Sequence, residues 1–290
     1  PRSSSSCASA NRIHRPFASS SPRFLADDTP QFASEREFVR KVGVAAIPFP
    51  YQYVRDRSVN VQTSVDDQSG FPCVLHREHR LFFRAGTDSW RISMMYRGFI
   101  EDEGITGQGK RLFSPHAYES ATHRVESGDI LLDVGCSEAI FTLEHVDLIS
   151  KAYLFEADPA WQRPLELTFA PFKSRVPIKI IPKLVSGESS ETSVRLADAV
   201  SDESGHTYFL KMDIEGYEYD VLSSSVDFLK SHRVKISCCT YHRQEDYDRI
   251  RRLLESIGYT TSCSSGYMLL TMNGIVAPYF RHGVIYARNF

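Results

Sequence analysis

Nowhere among the 290 residues does an apolar stretch approach the roughly 20 needed to cross a bilayer, so no membrane-spanning helix is expected. Neither sign of charge dominates. With 34 basic and 36 acidic residues the formal net charge is −2, and no basic field argues for nucleic acid or an anionic membrane surface. Cysteine is sparse and lacks a framework pattern. The six (Cys7, Cys73, Cys136, Cys238, Cys239 and Cys263) form no C-x-x-C pair, and Cys238 and Cys239 are adjacent in an apolar run. That spacing argues against zinc or disulfides. The thiols read as small core residues of a reduced, cytoplasmic protein.

Acid is missing from one end. No Asp or Glu precedes Asp27, while Arg2, Arg12, Arg15 and Arg23 accompany the serine runs Ser3–Ser6 and Ser19–Ser21. Residues 1–34 therefore read as a leader or a disordered segment: an organelle-import leader has this composition, and so does a disordered tail.

Residues 35–125 form a mixed α+β extension. Glu35 to Val44 suits a short helix stopped by Pro48-Phe49-Pro50, and Val59-Asn60-Val61 and Val74-Leu75 suit strands around a Gly70-Phe71-Pro72 turn. A glycine-rich stretch with Gly98, Gly104, Gly107 and Gly109 follows, and the whole region is expected to cap the main domain. Within it Gly104 to Lys110 satisfies G-x-x-x-x-G-K. A phosphate loop needs Ser or Thr next and an apolar strand before, but Arg111 follows and Glu101-Asp102-Glu103 precedes, so a flexible loop is the better reading.

From residue 126 to 290 the pattern becomes regular. Strand-like runs at Ile130–Val134, Ala152–Glu156, Ile178–Val185, Tyr208–Asp213 and Val234–Tyr241 alternate with segments of helical length, as in successive βαβ units. The clearest helix runs from about Gln244 to Ile257, with Gly258 as its cap. Tyr267–Met272 and Val284–Ala287 then suggest two strands joined without a helix, hence an antiparallel pair. The expected fold class is α/β, a doubly wound, Rossmann-like sheet of five parallel strands plus an antiparallel pair. That is the sheet of the S-adenosylmethionine (AdoMet) methyltransferases.

The chemistry sits at the carboxyl ends of those strands, where open α/β sheets bind ligands. Asp133-Val134-Gly135-Cys136 ends the first strand; glycine lets backbone approach a ligand there, and the acid can hold an amino group or order the loop. Glu156, 23 residues after Asp133, suits ribose hydroxyls and points to an adenosine cofactor. Lys211-Met212-Asp213-Ile214-Glu215-Gly216-Tyr217-Glu218 ends the fourth strand. Glu218 suits a helix start, whereas Asp213 belongs near the cofactor's reactive group. Asp213 and Glu215 could begin a hard-cation site, but no third ligand is evident and no metal is assigned. His242 ends the fifth strand, and its ordinary pKa suits a general base. His116, in Ser114-Pro115-His116, is a second histidine that could fold over the site.

Leu132-Asp133-Val134-Gly135-Cys136, Leu154-Phe155-Glu156-Ala157-Asp158, the Lys211 to Glu218 string and Cys239-Thr240-Tyr241-His242, in this order, resemble the FkbM family of AdoMet-dependent methyltransferases. The resemblance covers about Gly128 to Tyr267. It implies methyl transfer from AdoMet to a hydroxyl of a sugar, polyketide or other small metabolite. It further implies that Asp133, Gly135, Cys136 and Ser137 form the first cofactor loop. Glu156, with Ala157 beside it, would hold the ribose, and Asp158 would lie at the adenine or ribose edge. Asp213 would stand near the methionine part or the acceptor, and His242 would be the base. One position departs: where the family has a second glycine, four residues after the first, this chain has Ala139, acceptable if its φ is negative.

Two other classes are weighed. A dinucleotide oxidoreductase lacks the further glycines of G-x-G-x-x-G after Gly135. A non-catalytic AdoMet- or nucleotide-binding protein on the same fold would account for Ala139.

Overall fold

The computed structural model describes residues 29–42, 61–105, 114–200, 205–270 and 277–290. Nearly all of the 1–34 segment, the Pro48-Phe49-Pro50 breaker, Val59-Asn60 and the Gly107–Arg111 stretch lie outside the described residues, as does Met272.

The chain enters through helix α1 (Ala33–Val42) and an antiparallel meander of β1 (Thr63–Val65), β2 (Pro72–His76) and β3 (His79–Phe82). Helix α2 (Ser89–Glu101) follows, started by Asp88, whose carboxylate accepts the Arg91 amide N–H at 2.9 Å. Gly98, the first glycine of the glycine-rich stretch, lies inside this helix.

The main sheet is built on β4 (Ile130–Val134), β5 (Lys151–Phe155) and β6 (Ile178–Ile181), followed by a two-residue pair, β7 (Leu184–Val185) with β8 (Ser193–Val194). Next come β9 (Thr207–Met212), β10 (Arg233–Cys239) and β11 (Thr260–Cys263). A second small pair, β12 (Met268–Leu269) with β13 (Phe280–Arg281), precedes the last strand, β14 (Val284–Arg288). Helices α3 (Ile140–His145), α4 (Gln162–Phe169), α5 (Leu196–Ala199), α6 (Glu218–Ser224), α7 (Val226–Ser231) and α8 (Asp246–Ser256) cover the faces.

Across the sheet the order is β11-β14-β10-β9-β4-β5-β6. The run from β10 to β6 is parallel, and β14 is antiparallel to both β10 and β11. This is the expected sheet: five parallel strands and an antiparallel pair. One member of the pair differs from expectation. The edge strand is Thr260–Cys263; Met268–Leu269, inside the expected Tyr267–Met272, pairs with Phe280–Arg281 in its own ladder. The alternately exposed Thr-Thr-Ser-Cys carries too little hydrophobic signal to announce an edge strand. The expected Ile178–Val185 strand is also split, because Pro182 lacks an amide hydrogen to continue the ladder.

Strand residues alternate between two cores. Ile130, Leu132 and Val134, with Leu210, Met212, Ile236 and Cys238, pack beneath α6 to α8. Leu131, Leu154 and Phe209 face the other way, into a core shared with Val74, Leu81, Phe83, Ile92 and Tyr96 of the N-terminal region. Asp133, Lys211, Lys235, Ser237 and Cys239 fall on that second side. The 114–126 segment covers its polar part, with His123 Nε2 3.1 Å from Ser237 Oγ and Lys235 donating to the Arg124 carbonyl at 2.9 Å.

Candidate active site

At the end of β4 the backbone turns sharply at Gly135 (φ +73°), and a side chain there would be excluded by more than backbone angle. A Cβ would lie 2.0 Å from the Asp213 carbonyl oxygen and 2.9 Å from Ile214 Cγ2. The two loops are clasped by the Asp213 amide, which donates to Val134 O at 3.0 Å, and by Lys211 Nζ, which donates to Gly135 O at 2.9 Å. Asp133 is buried, 3.2 Å from Lys211 Nζ, and accepts the Thr142 hydroxyl at 2.8 Å. Burial opposes the Lys211 charge, but Asp133 and Asp213 outweigh it and hold the amine above its ordinary range.

Ala139 corrects an expectation: its φ is +58°, not negative, and Ser137 is also left-handed at +47°. The loop keeps a glycine-like path with alanine in place, because α3 must start there. Glu156 stabilises that path. One carboxylate oxygen accepts the Ser137 amide N–H at 3.0 Å and the other the Asp158 amide N–H at 2.8 Å, so a single acid joins the loops after β4 and β5.

Two hollows flank the Gly135–Asp213 contact. The larger, about 860 Å³ and open to solvent, is floored by Gly135, Ser137, Glu156 and Ala157 on one side and by Asp213 and Ile214 on the other. Phe155 and Val185 add apolar wall, and the exposed Leu184 and Tyr217 stand at its rim. An apolar slot beside an acid with spare lone pairs fits a purine nucleoside with its ribose diol. The smaller hollow, about 360 Å³, is lined by Asp133, Gly135, Cys136, Glu138, Tyr118 and Lys211, with Phe99 and Glu103 contributed from around the end of α2. Burial pushes the Glu103 carboxyl up to about 7. Burial and the Glu103 charge push Glu138 up to about 8.

Asp213 is the hub. Tyr118 donates its hydroxyl hydrogen to Oδ2 at 2.8 Å, and His116 Nε2 lies 3.4 Å from the same oxygen. The His116 nitrogen is also 3.1 Å from the Tyr118 hydroxyl and 3.3 Å from that of Tyr241. His242 Nε2 faces the other oxygen, Oδ1, at 3.4 Å, and its Nδ1 lies 2.9 Å from Glu218 Oε1, out of line for a hydrogen bond. Glu218 Oε1 also accepts the Ile214 amide at 2.9 Å. Arg281 donates to the Tyr241 and His242 carbonyls at 2.9 and 3.1 Å, pinning the tip of β10. Burial raises the Asp213 carboxyl, but the His116 hydrogen bond and the His116 and Lys211 charges hold it well below the usual carboxylate range. Both imidazoles are raised: burial lowers them, yet Asp213 outweighs it at His116, and Glu218 with Asp213 does so at His242.

Of the residues singled out from the sequence, Gly135, Ser137, Glu156, Ala157 and Asp213 line the larger hollow together, and Asp133 and Cys136 line the smaller. His242 stands behind Asp213. Asp158 is elsewhere. It caps the Pro159–Trp161 turn by accepting the Ala160 amide at 2.9 Å and pairs with Arg84 at 3.1 Å. Sequence reasoning missed Tyr118, Glu138 and the Leu184–Val185 wall. The charged Lys211 inside an apolar strand was the one visible sign that this strand faces a polar chamber.

The model for the methyltransferase FkbM domain matches residues 95–261. Among solved structures, the chain is similar to methyltransferase FkbM from Methylobacillus flagellatus KT (17% identity, TM-score 0.48, 69% of this chain); it spans 55% of that protein's length. Others are a precorrin-6y C5,15-methyltransferase from Geobacter metallireducens (13%, TM-score 0.37, 57% of this chain and 83% of that one) and an rRNA methylase from Streptococcus thermophilus (12%, TM-score 0.36, 57% and 88%). No curated protein matches.

Proposed function

Because the chain belongs to the FkbM methyltransferase family, we propose that it transfers the methyl group of AdoMet to a hydroxyl oxygen of a sugar or other small metabolite. The observation that carries this reading is Glu156, held by two backbone amides at the floor of the larger hollow with lone pairs left for a ribose diol. AdoMet would supply an electrophilic methyl on a sulfonium centre. Ser137, Glu156 and Ala157 would hold its nucleoside part, and the Gly135–Asp213 clasp would bring the reacting end beside the hub.

In the transfer the carbon–sulfur bond breaks with its electron pair left on sulfur, a carbon–oxygen bond forms, and the hydroxyl proton leaves. The protein's main contribution is to hold the oxygen in line. It must also accept the proton, and two imidazoles reach Asp213 for that purpose: His242, backed by Glu218, and His116. The acids crowded there, Asp213, Glu215 and Glu218, disfavour a phosphate-rich acceptor, in keeping with the net charge of −2. Among the described residues no helix is long and apolar enough to cross a membrane. The buried free thiols of Cys73, Cys136, Cys238 and Cys239 suit a reducing compartment such as the cytoplasm.

Calorimetric titration of AdoMet and S-adenosylhomocysteine, with NAD as control, tests the reading. Both sulfur ligands should bind the wild type, and Glu156→Ala should weaken them at least ~10-fold. Absence of binding by either would overturn it.

A further inference from the structure

The two oxygens of Asp213 are not equivalent. Oδ2 accepts the Tyr118 hydrogen bond, whereas Oδ1 is buried and has no hydrogen-bond partner. His242 Nε2 points at that oxygen from 3.4 Å and lies 3.5 Å from Glu215 Oε2. Glu218 Oε1 stands 2.9 Å from the ring's other nitrogen, Nδ1. The His242 side chain is only 10% exposed, Glu218 is fully buried, and Glu215 reaches in from the solvent side. Three carboxylates surround one imidazole.

Glu218 Oε1 sits beside Nδ1 without a hydrogen bond, and Nε2 is turned toward two carboxylate oxygens. Carboxylates that converge in this way repel one another unless a positive charge lies between them, supplied by a proton on Nε2 or by a bound cation. A carboxylate on the far nitrogen of an imidazole whose near nitrogen meets further carboxylates is the order found around protein-bound metals, where the outer acid sets the tautomer. Ligands about 2.1 Å from an octahedral ion lie about 3.0 Å apart, so separations of 3.4 and 3.5 Å need shifts of only a few tenths of an ångström.

We propose that Asp213 Oδ1, His242 Nε2 and Glu215 form a divalent-cation site, with Glu218 orienting the imidazole from behind. One nitrogen and two hard oxygens suit a first-row ion such as Mn²⁺ or Fe²⁺. The His116, Asp213 and Cys239 grouping on the opposite side is not such a site. Its Oδ2 is satisfied by Tyr118, and burial keeps the Cys239 thiol protonated.

Only the site's purpose rests on the methyl-transfer reading. Asp213 and Glu215 both line the larger hollow, so an acceptor hydroxyl bound to the ion would be acidified beside the cofactor. His242 then serves as a ligand, and His116, on Oδ2, takes the proton.

The test is titration of Mn²⁺ into chelator-treated protein, followed by electron paramagnetic resonance of free Mn²⁺ and by calorimetry. Saturable one-to-one binding is expected, weakened at least ~10-fold in Asp213→Asn and His242→Ala and kept in His116→Ala. Glu215→Gln, at a side chain 90% exposed and so harmless to folding, should also weaken it. No saturable binding in the wild type, or equal affinity in Asp213→Asn and Glu215→Gln, overturns the proposal. AdoMet titrated into the same samples separates the two readings. AdoMet binding without Mn²⁺ binding removes the cation site and leaves methyl transfer standing, and Mn²⁺ binding without AdoMet binding does the reverse.

Discussion

Tyr118 donates its hydroxyl hydrogen to Asp213 Oδ2 at 2.8 Å, joining the segment ahead of the sheet to the tip of β9 across 95 residues. Burial, reinforced by the Asp213 charge, pushes the phenol well above its ordinary pKa, so it remains a donor throughout the working pH range. This bond leaves Oδ1 as the side of the carboxylate without a hydrogen-bond partner.

Tyr118→Phe should therefore lower kcat/KM roughly 10- to 100-fold, the effect of losing one hydrogen bond to a charged group. AdoMet affinity, which the proposed function assigns to Glu156 and the first loop, should change by less than about threefold. Initial rates on an identified acceptor and calorimetry on the same samples check the pair. Undiminished turnover would make Tyr118 a packing residue only.

Ala139 holds a left-handed φ of +58° while almost fully buried at 1% exposure. An alanine side chain in that region costs about 1 kcal/mol, part of which glycine recovers despite the greater entropy of its unfolded chain. Ala139→Gly is expected to stabilise the fold by about 0.5 kcal/mol, raising Tm by a degree or two. A lower Tm would mean that the packing of the methyl group outweighs the backbone strain.

His123 is sealed between Ser237 and the ring of Tyr286. Burial first, and the charge of Lys235 second, push its pKa down to about 4. In the unfolded chain the ring protonates near 6.5, so between those values the unfolded state binds more protons. Stability should then fall as pH drops from about 6.5 toward 4, by about 2–3 kcal/mol from this residue. Urea midpoints at pH 7 and pH 5 should fall further apart in the wild type than in His123→Gln, which carries no titrating ring.

Much of the frame was legible in the chain. Ile130–Val134 is buried at every position, and a continuous apolar run covered on both faces is what a central parallel strand requires. The acid after β5 and the Lys211 to Glu218 string fell at strand tips for the same reason. The weakly hydrophobic edge strand Thr260–Cys263 was not legible, since its place depends on β14 lying beside it. The conformation of Ala139 was equally hidden, because the first loop's path is imposed by Glu156, Gly135 and the start of α3 together.

The sequence by itself determined which polar residues stand at the strand ends: Gly135, Glu156, Asp213 and His242 fall there because hydrophobic periodicity places those ends. Only the tertiary structure decided what they touch. It brought Tyr118 and His116 onto one oxygen of Asp213 and left the other to His242 and Glu215. The reason is physical. Periodicity sets which face of a strand is buried, whereas the partner of a buried polar atom is set by contacts between segments far apart in the chain.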